Sequence, residues 1–149
     1  MKRLLEKLLN LTEKDIFKPY SFEEFIQKNC TLNSDGTYSS ESDIDLSGLD
    51  LIKLPVKFKE VKGDFDCTNN KLTSLEGAPE KVGESFWCEF NNLTTLEGAP
   101  KHVGWDFNCR YNQLTSLKGA PEKVGERFVC TNNPVPAYEL RKTVKRDYL

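Results

Sequence analysis

Between residues 44 and 135 the apolar positions recur with a step of 21, not with the 3.6 of a helix or the 2 of a long strand. Phe65, Phe86, Phe107 and Phe128 mark the step, followed two residues later by Cys67, Cys88, Cys109 and Cys130. Leu72, Leu93, Leu114 and Val135 form a third row, Leu75, Leu96 and Leu117 a fourth, and Val61, Val82, Val103 and Val124 a fifth. Aligned on cysteine, the units read FDCTNNKLTSLEGAPEKVGES, FWCEFNNLTTLEGAPKHVGWD, FNCRYNQLTSLKGAPEKVGER and a truncated FVCTNNPVPAY. A degenerate unit, IDLSGLDLIKLPVKFKEVKGD, precedes them with Leu46 in the cysteine place, making about five turns of a stack.

Alternation of Phe and Cys predicts a short strand with both side chains inward, so each turn contributes one strand to a parallel sheet. The asparagines that follow, Asn70, Asn91, Asn112 and Asn133, stand where a side-chain amide can bond backbone groups as the chain leaves the strand, and they predict a stacked ladder. Gly-Ala-Pro triplets at 77–79, 98–100 and 119–121 supply turn residues and remove a donor, which predicts an irregular convex side without helices.

A stack exposes its core at both ends unless atypical segments cover it. Residues 1–43 are expected to form an N-terminal cap, 44–135 the repeats and 136–149 a C-terminal capping helix. In the first, Leu4, Leu5, Leu8 and Leu9 make an apolar stripe, and Ser21 to Glu24 reads as a capping box opening a helix with Phe22, Phe25 and Ile26 on one side. Asp35-Gly36 marks a hairpin tip. In the last, Leu140, Val144 and Tyr148 line one helix face, while Arg141, Lys142, Lys145 and Arg146 read as a solvated basic side.

Four cysteines invite a metal or a disulfide ladder. Metal sites draw on closely spaced ligand pairs, and these residues are 21 apart in one slot. In-register side chains on parallel strands leave Cβ atoms about 4.8 Å apart, beyond the roughly 3.5–4.5 Å of a relaxed bridge. The row therefore reads as reduced, buried packing residues, and serine is expected to replace cysteine no better than alanine, for want of an assured acceptor. Cys30 lies outside the row.

Composition narrows the function. A formal charge of −2 and a pI near 5.6 lack the basic footprint of a nucleic-acid binder. At the N-terminus Glu6 and Lys7 interrupt the leucines and no small-residue cleavage site follows, so the segment does not read as a signal peptide. No apolar run reaches the roughly 20 residues of a membrane span, and a reducing cytoplasm is the expected location. The single histidine, His102, shares its slot with Lys81 and Lys123 and reads as a surface residue. No phosphate-binding glycine loop is present, and neither a cofactor nor a metal nor an enzymatic activity is expected.

The 21-residue period, the Phe-x-Cys strand, the Asn slot and the LTSLEGAP…VG wording resemble the short cysteine-containing leucine-rich-repeat proteins of tailed phages and some bacteria. The resemblance spans residues 44–135 and extends to the FEEFIQKN…LNSDGTYSSESDIDLSG segment as a cap. Glu84, Trp105 and Glu126 stand where members of that family often carry a second glycine. A second resemblance is to the repeat region of secreted bacterial effector ubiquitin ligases, whose large catalytic domain has no counterpart of comparable length here. The implied fold is an α/β solenoid: a leucine-rich-repeat arc with a short parallel β-sheet, an irregular convex side, a helical N-terminal cap and a C-terminal helix.

What varies between turns is the set of slots around Phe and Cys that face out from the sheet. They run Asp64, Asp66, Thr68; Ser85, Trp87, Glu89; Asp106, Asn108, Arg110; Arg127, Val129, Thr131. The expectation is a non-catalytic protein-binding module, with Trp87, Arg110 and Tyr111 at its centre and Glu89, Phe90, Asn108, Arg127 and Val129 around them. A phage-encoded, host-directed inhibitor or anti-defence protein acting in the host cytoplasm fits that expectation. The alternatives are an effector-like recognition subunit for an enzyme and a structural component of a phage particle.

Overall fold

The computed structural model describes residues 21–143, with side chains to residue 140. It is a β-solenoid with two parallel sheets, flanked by the helices α1 (Phe22–Asn29) and α2 (Ala137–Thr143). The first sheet contains the hairpin strands β1 (Thr31–Leu32) and β2 (Tyr38–Ser40), then β4 (Phe58–Val61), β6 (Lys81–Val82), β8 (His102–Val103) and β10 (Lys123–Val124). The second contains β3 (Ile44–Asp45), β5 (Phe65–Asp66), β7 (Phe86–Trp87), β9 (Phe107–Asn108) and β11 (Phe128–Val129). Each repeat thus lays down two strands. The expected single sheet is corrected by the Lys-Val or His-Val dipeptides, which pair in register on the opposite side with valine inward. A two-residue strand holds one apolar and one polar position, too short a run to show alternation in the sequence.

The expected second-sheet strand holds: Phe65, Phe86 and Phe107 and the cysteines beside them are fully buried. Their rings stack parallel, with centroids 5.4 and 5.3 Å apart and planes within 5°. Phe58 closes the N-terminal end of the row edge-on at 5.2 Å, and Phe128, half-buried, extends it. Close stacking also explains the glycine before each second-sheet strand. A Cβ on Gly83, Gly104 or Gly125 would collide with a backbone carbonyl of the preceding turn.

The asparagine ladder is present and directional. Asn91 Oδ1 accepts from Leu72 N of the preceding turn at 2.9 Å, and its Nδ2 donates to Cys67 O at 3.0 Å and Cys88 O at 3.2 Å. Asn70, Asn112 and Asn133 repeat the pattern. All five cysteines are free. The Sγ atoms of Cys67, Cys88 and Cys109 each donate to a carbonyl of the following turn at 3.4 Å. A backbone carbonyl acceptor thus stands near each of these three slots. Burial pushes these three thiols far above their ordinary pKa and that of Cys30 to about 11, so none is a ready thiolate.

At the N-terminal end the capping box is formed in both directions, Glu24 N to Ser21 Oγ at 3.2 Å and Ser21 N to Glu24 Oε2 at 2.8 Å. Helix α1 buries Ile26 and lays Phe22 and Phe25 partly against the core. The hairpin turns at Asp35-Gly36, with Gly36 at φ 81°. Asp35 accepts from Thr37 Oγ1 at 2.6 Å and from Lys59 Nζ at 3.0 Å, and these bonds lower its pKa to about 2. Strand β2 then joins β4 in parallel. At the other end Leu140 of α2 packs partly against the core. The stripe of Leu4, Leu5, Leu8 and Leu9, the residues Val144, Lys145, Arg146 and Tyr148, and the side chains of Arg141 and Lys142 lie outside what is described.

Candidate functional site

Strands β3, β5, β7, β9 and β11 place Asp45, Asp66, Trp87, Asn108 and Val129 side by side on the outer face. Two flanking rows run beside this one. On the N-terminal side of each strand a second ladder, not foreseen in the sequence, links successive turns. Asp43 Oδ1 accepts from Asp64 N at 2.9 Å, Asp64 Oδ1 from Ser85 N at 2.7 Å, Ser85 Oγ from Asp106 N at 3.4 Å and Asp106 Oδ1 from Arg127 N at 2.9 Å. Ser85 and Asp106 are accordingly buried, and their slot ties turns together. A 21-residue spacing of short oxygen-bearing side chains was the signal for it.

Arg127 closes on Asp106 with Nη2 2.6 Å from Oδ2 and Nε 3.2 Å from both oxygens, and its hydrogen bonds hold the Asp106 carboxyl below its ordinary pKa. Asn108 lies between the larger Trp87 and Val129, is 6% exposed, and accepts from Arg110 N at 3.3 Å. It is part of the floor. Val129 and Trp87 are half-buried.

On the C-terminal side of the strands Glu89, Phe90, Arg110 and Tyr111 come together. The rings of Phe90 and Tyr111 stack with centroids 4.6 Å apart and planes 8° apart, and both residues remain 46–47% exposed. The Arg110 guanidinium carbon lies 5.9 Å from the Tyr111 centroid, and its Nε 3.8 Å from Glu89 Oε1. Glu89 is buried, and desolvation raises its pKa against the weaker opposing pulls of its own backbone N–H and of Arg110. Trp87, Glu89, Phe90, Arg110 and Tyr111 therefore form one patch, with Asn108 beneath and Arg127 and Val129 at its edge.

The backbone under the aromatic pair is unusual. Phe90 and Tyr111 have φ of 54° and 55°, in the left-handed region. The same slot holds Gly48 at 63°, Asn69 at 54° and Asn132 at 57° in the other turns. Gly and Asn tolerate this conformation, whereas bulky side chains adopt it at a cost of about 1–2 kcal/mol.

Elsewhere, Asp43, Asp64 and Glu84 each bring a carboxylate oxygen within 4.8 Å of the others. Asp43 and Asp64 already serve backbone N–H groups there. His102 is exposed on β8 between Lys81 and Lys123, at the surface as the sequence suggested. Among the described residues no helix is long and apolar enough to cross a membrane. Compared with known proteins, the chain matches no protein-family model, and neither a curated protein nor a solved structure is significantly similar to it.

Proposed function

We propose that the chain is a non-catalytic protein-binding module of the leucine-rich-repeat kind, and that it recognises its partner through the patch formed by Trp87, Phe90, Arg110 and Tyr111. One observation carries this reading: two successive turns put large aromatic rings at a left-handed position where the other turns use Gly or Asn. The frame itself is better served by asparagine, so the strain points to a role outside the frame. The rings are stacked and half-exposed, a rigid apolar ledge that loses little side-chain entropy on docking. Tryptophan, tyrosine and arginine are also the residues that most often anchor interfaces. The resemblance to phage and bacterial repeat proteins favours a host-directed role in a reducing cytoplasm, which suits five unpaired cysteines.

The test restores the residue of the flanking turns. The Phe90→Asn/Tyr111→Asn double variant is expected to melt higher than wild type and to lose the partner that the wild-type chain retains from host lysate. Trp87→Ala should lose the same partner with little change in melting. Retention of that partner by both variants, with folding intact, would place recognition on another surface.

A further inference from the structure

Within the patch one buried polar side-chain atom has no hydrogen-bond partner, Glu89 Oε2. The Glu89 side chain is 7% exposed, and its other oxygen reaches Arg110 only at 3.8 Å, beyond the roughly 2.7–2.9 Å of a charge-assisted hydrogen bond. Leaving a buried carboxylate half-satisfied is unfavourable, and a donor from outside would remove the deficit. A second carboxylate stands close by. Asp66 pairs in register with Trp87 from the preceding turn, and its charge adds to the forces raising the Glu89 pKa. Trp87 ends β7, and Glu89 follows two residues on, where alternation of the extended chain keeps it on the same side. Trp87 thus has one acidic residue beside it in the turn before and another two residues on; Asp66 Oδ1 accepts from Thr68 N at 2.8 Å, and an aromatic face near negative charge favours a cation.

Charge on the rest of the face agrees. Asp45 continues the row of Asp66, while Arg127 is already closed on Asp106 at 2.6 Å. Building on the reading that this face is the recognition surface, we propose that Glu89 and Asp66, with Trp87 between them, receive an arginine or lysine side chain carried on a basic segment of the protein partner. A guanidinium or ammonium donates to Glu89 Oε2, lies against the indole and takes the place of Arg110 as the cation nearest Glu89. Arg110 is the internal competitor and turns to Tyr111, over which it already lies.

Three capped tripeptides, Gly-Arg-Gly, Gly-Lys-Gly and Gly-citrulline-Gly, titrated into the 15N-labelled full chain test this assignment. The arginine and lysine peptides should shift the Trp87 indole and the Glu89 amide saturably, while citrulline, matched in shape but uncharged, should not. The Trp105 indole, 53% exposed on another part of the turn, is the internal control and should stay still. Glu89→Gln should weaken arginine binding about tenfold, Asp66→Asn less, and Arg110→Ala should strengthen it. If Glu89→Gln fails to fold, Asp66→Asn and Arg110→Ala decide the matter. The proposal is overturned if both indoles respond alike, if citrulline binds as arginine does, if folded Glu89→Gln binds unchanged, or if Arg110→Ala weakens binding. The two readings separate cleanly. Loss of the partner in the Phe90→Asn/Tyr111→Asn variant with normal arginine-peptide binding keeps both; normal partner retention by Glu89→Gln removes the cation assignment alone.

Discussion

Glu89 shows what a single residue costs the scaffold. Its folded pKa is raised by desolvation, so the folded state holds the proton more tightly than the unfolded chain does. Stability therefore falls as pH rises from the ordinary glutamate range through the raised folded value, and the penalty is fully present above it. Glu89→Gln should stabilise the free protein at neutral pH by about 1 kcal/mol, and the advantage should vanish at pH values below the ordinary glutamate range. Melting curves of the two proteins across that range check the sign; a constant difference would mean that charge desolvation is not the cause. Cys88 makes a different residue-scale point. Its thiol donates to Asn108 O, the nearest acceptor toward which a serine hydroxyl could settle. Cys88→Ala should lose about 1 kcal/mol through a small cavity, and Cys88→Ser should melt above it, contrary to what burial alone suggests. Equal melting of the two would make the sulfur contact a packing contact only. The identity of the inward and ladder residues was legible in the chain because each recurs in a single slot. The acceptor at Cys88 was not legible, because it belongs to the backbone of the next turn.

At the scale of the element, the unit is one turn tied to its neighbour. Asn91 serves Leu72 N and two cysteine carbonyls while the side chain of Asn92, one residue on, is exposed and accepts from Gln113 Nε2. Asn91→Ala should cost about 1–3 kcal/mol and Asn92→Ala about 0.5 kcal/mol or less, measured by urea unfolding. Among the described residues six ion pairs also join residues 21 apart: Glu41 to Lys62, Asp50 to Lys71, Glu60 to Lys81, Glu89 to Arg110, Glu97 to Lys118 and Asp106 to Arg127. Most are exposed, and each adds little by itself. Reading the charges with the step already found for the apolar rows would have revealed them. The first sheet was harder to foresee, since Lys81-Val82 and its equivalents are two-residue strands with one apolar and one polar position, too short to show alternation. The patch was half legible. Trp87, Phe90, Arg110 and Tyr111 were marked by variation against a constant frame, but the sinking of Glu89 and Asn108 depends on the sizes of their neighbours one turn away.

For the whole molecule, contacts run almost entirely between adjacent turns, so stability is a sum over interfaces more than the property of one centre. The two ends differ. Phe58, the hairpin and α1 close the N-terminal side over fully buried residues, whereas Phe128, Cys130 and Val135 are only half-buried beneath α2. The asparagine ladder is polar in the same sense, each amide reaching back to the turn before it. Under tension this polarity makes the molecule a ratchet of equal steps. Drawn from its C-terminus in a single-molecule experiment, the chain should surrender one turn at a time, starting at Asn133, each release adding about 7 nm of slack from 21 residues. A single rip spanning every repeat would mean that the interfaces fail together. A train of near-identical steps would make this small protein a graduated spring, lengthening in increments written into the spacing of its cysteines.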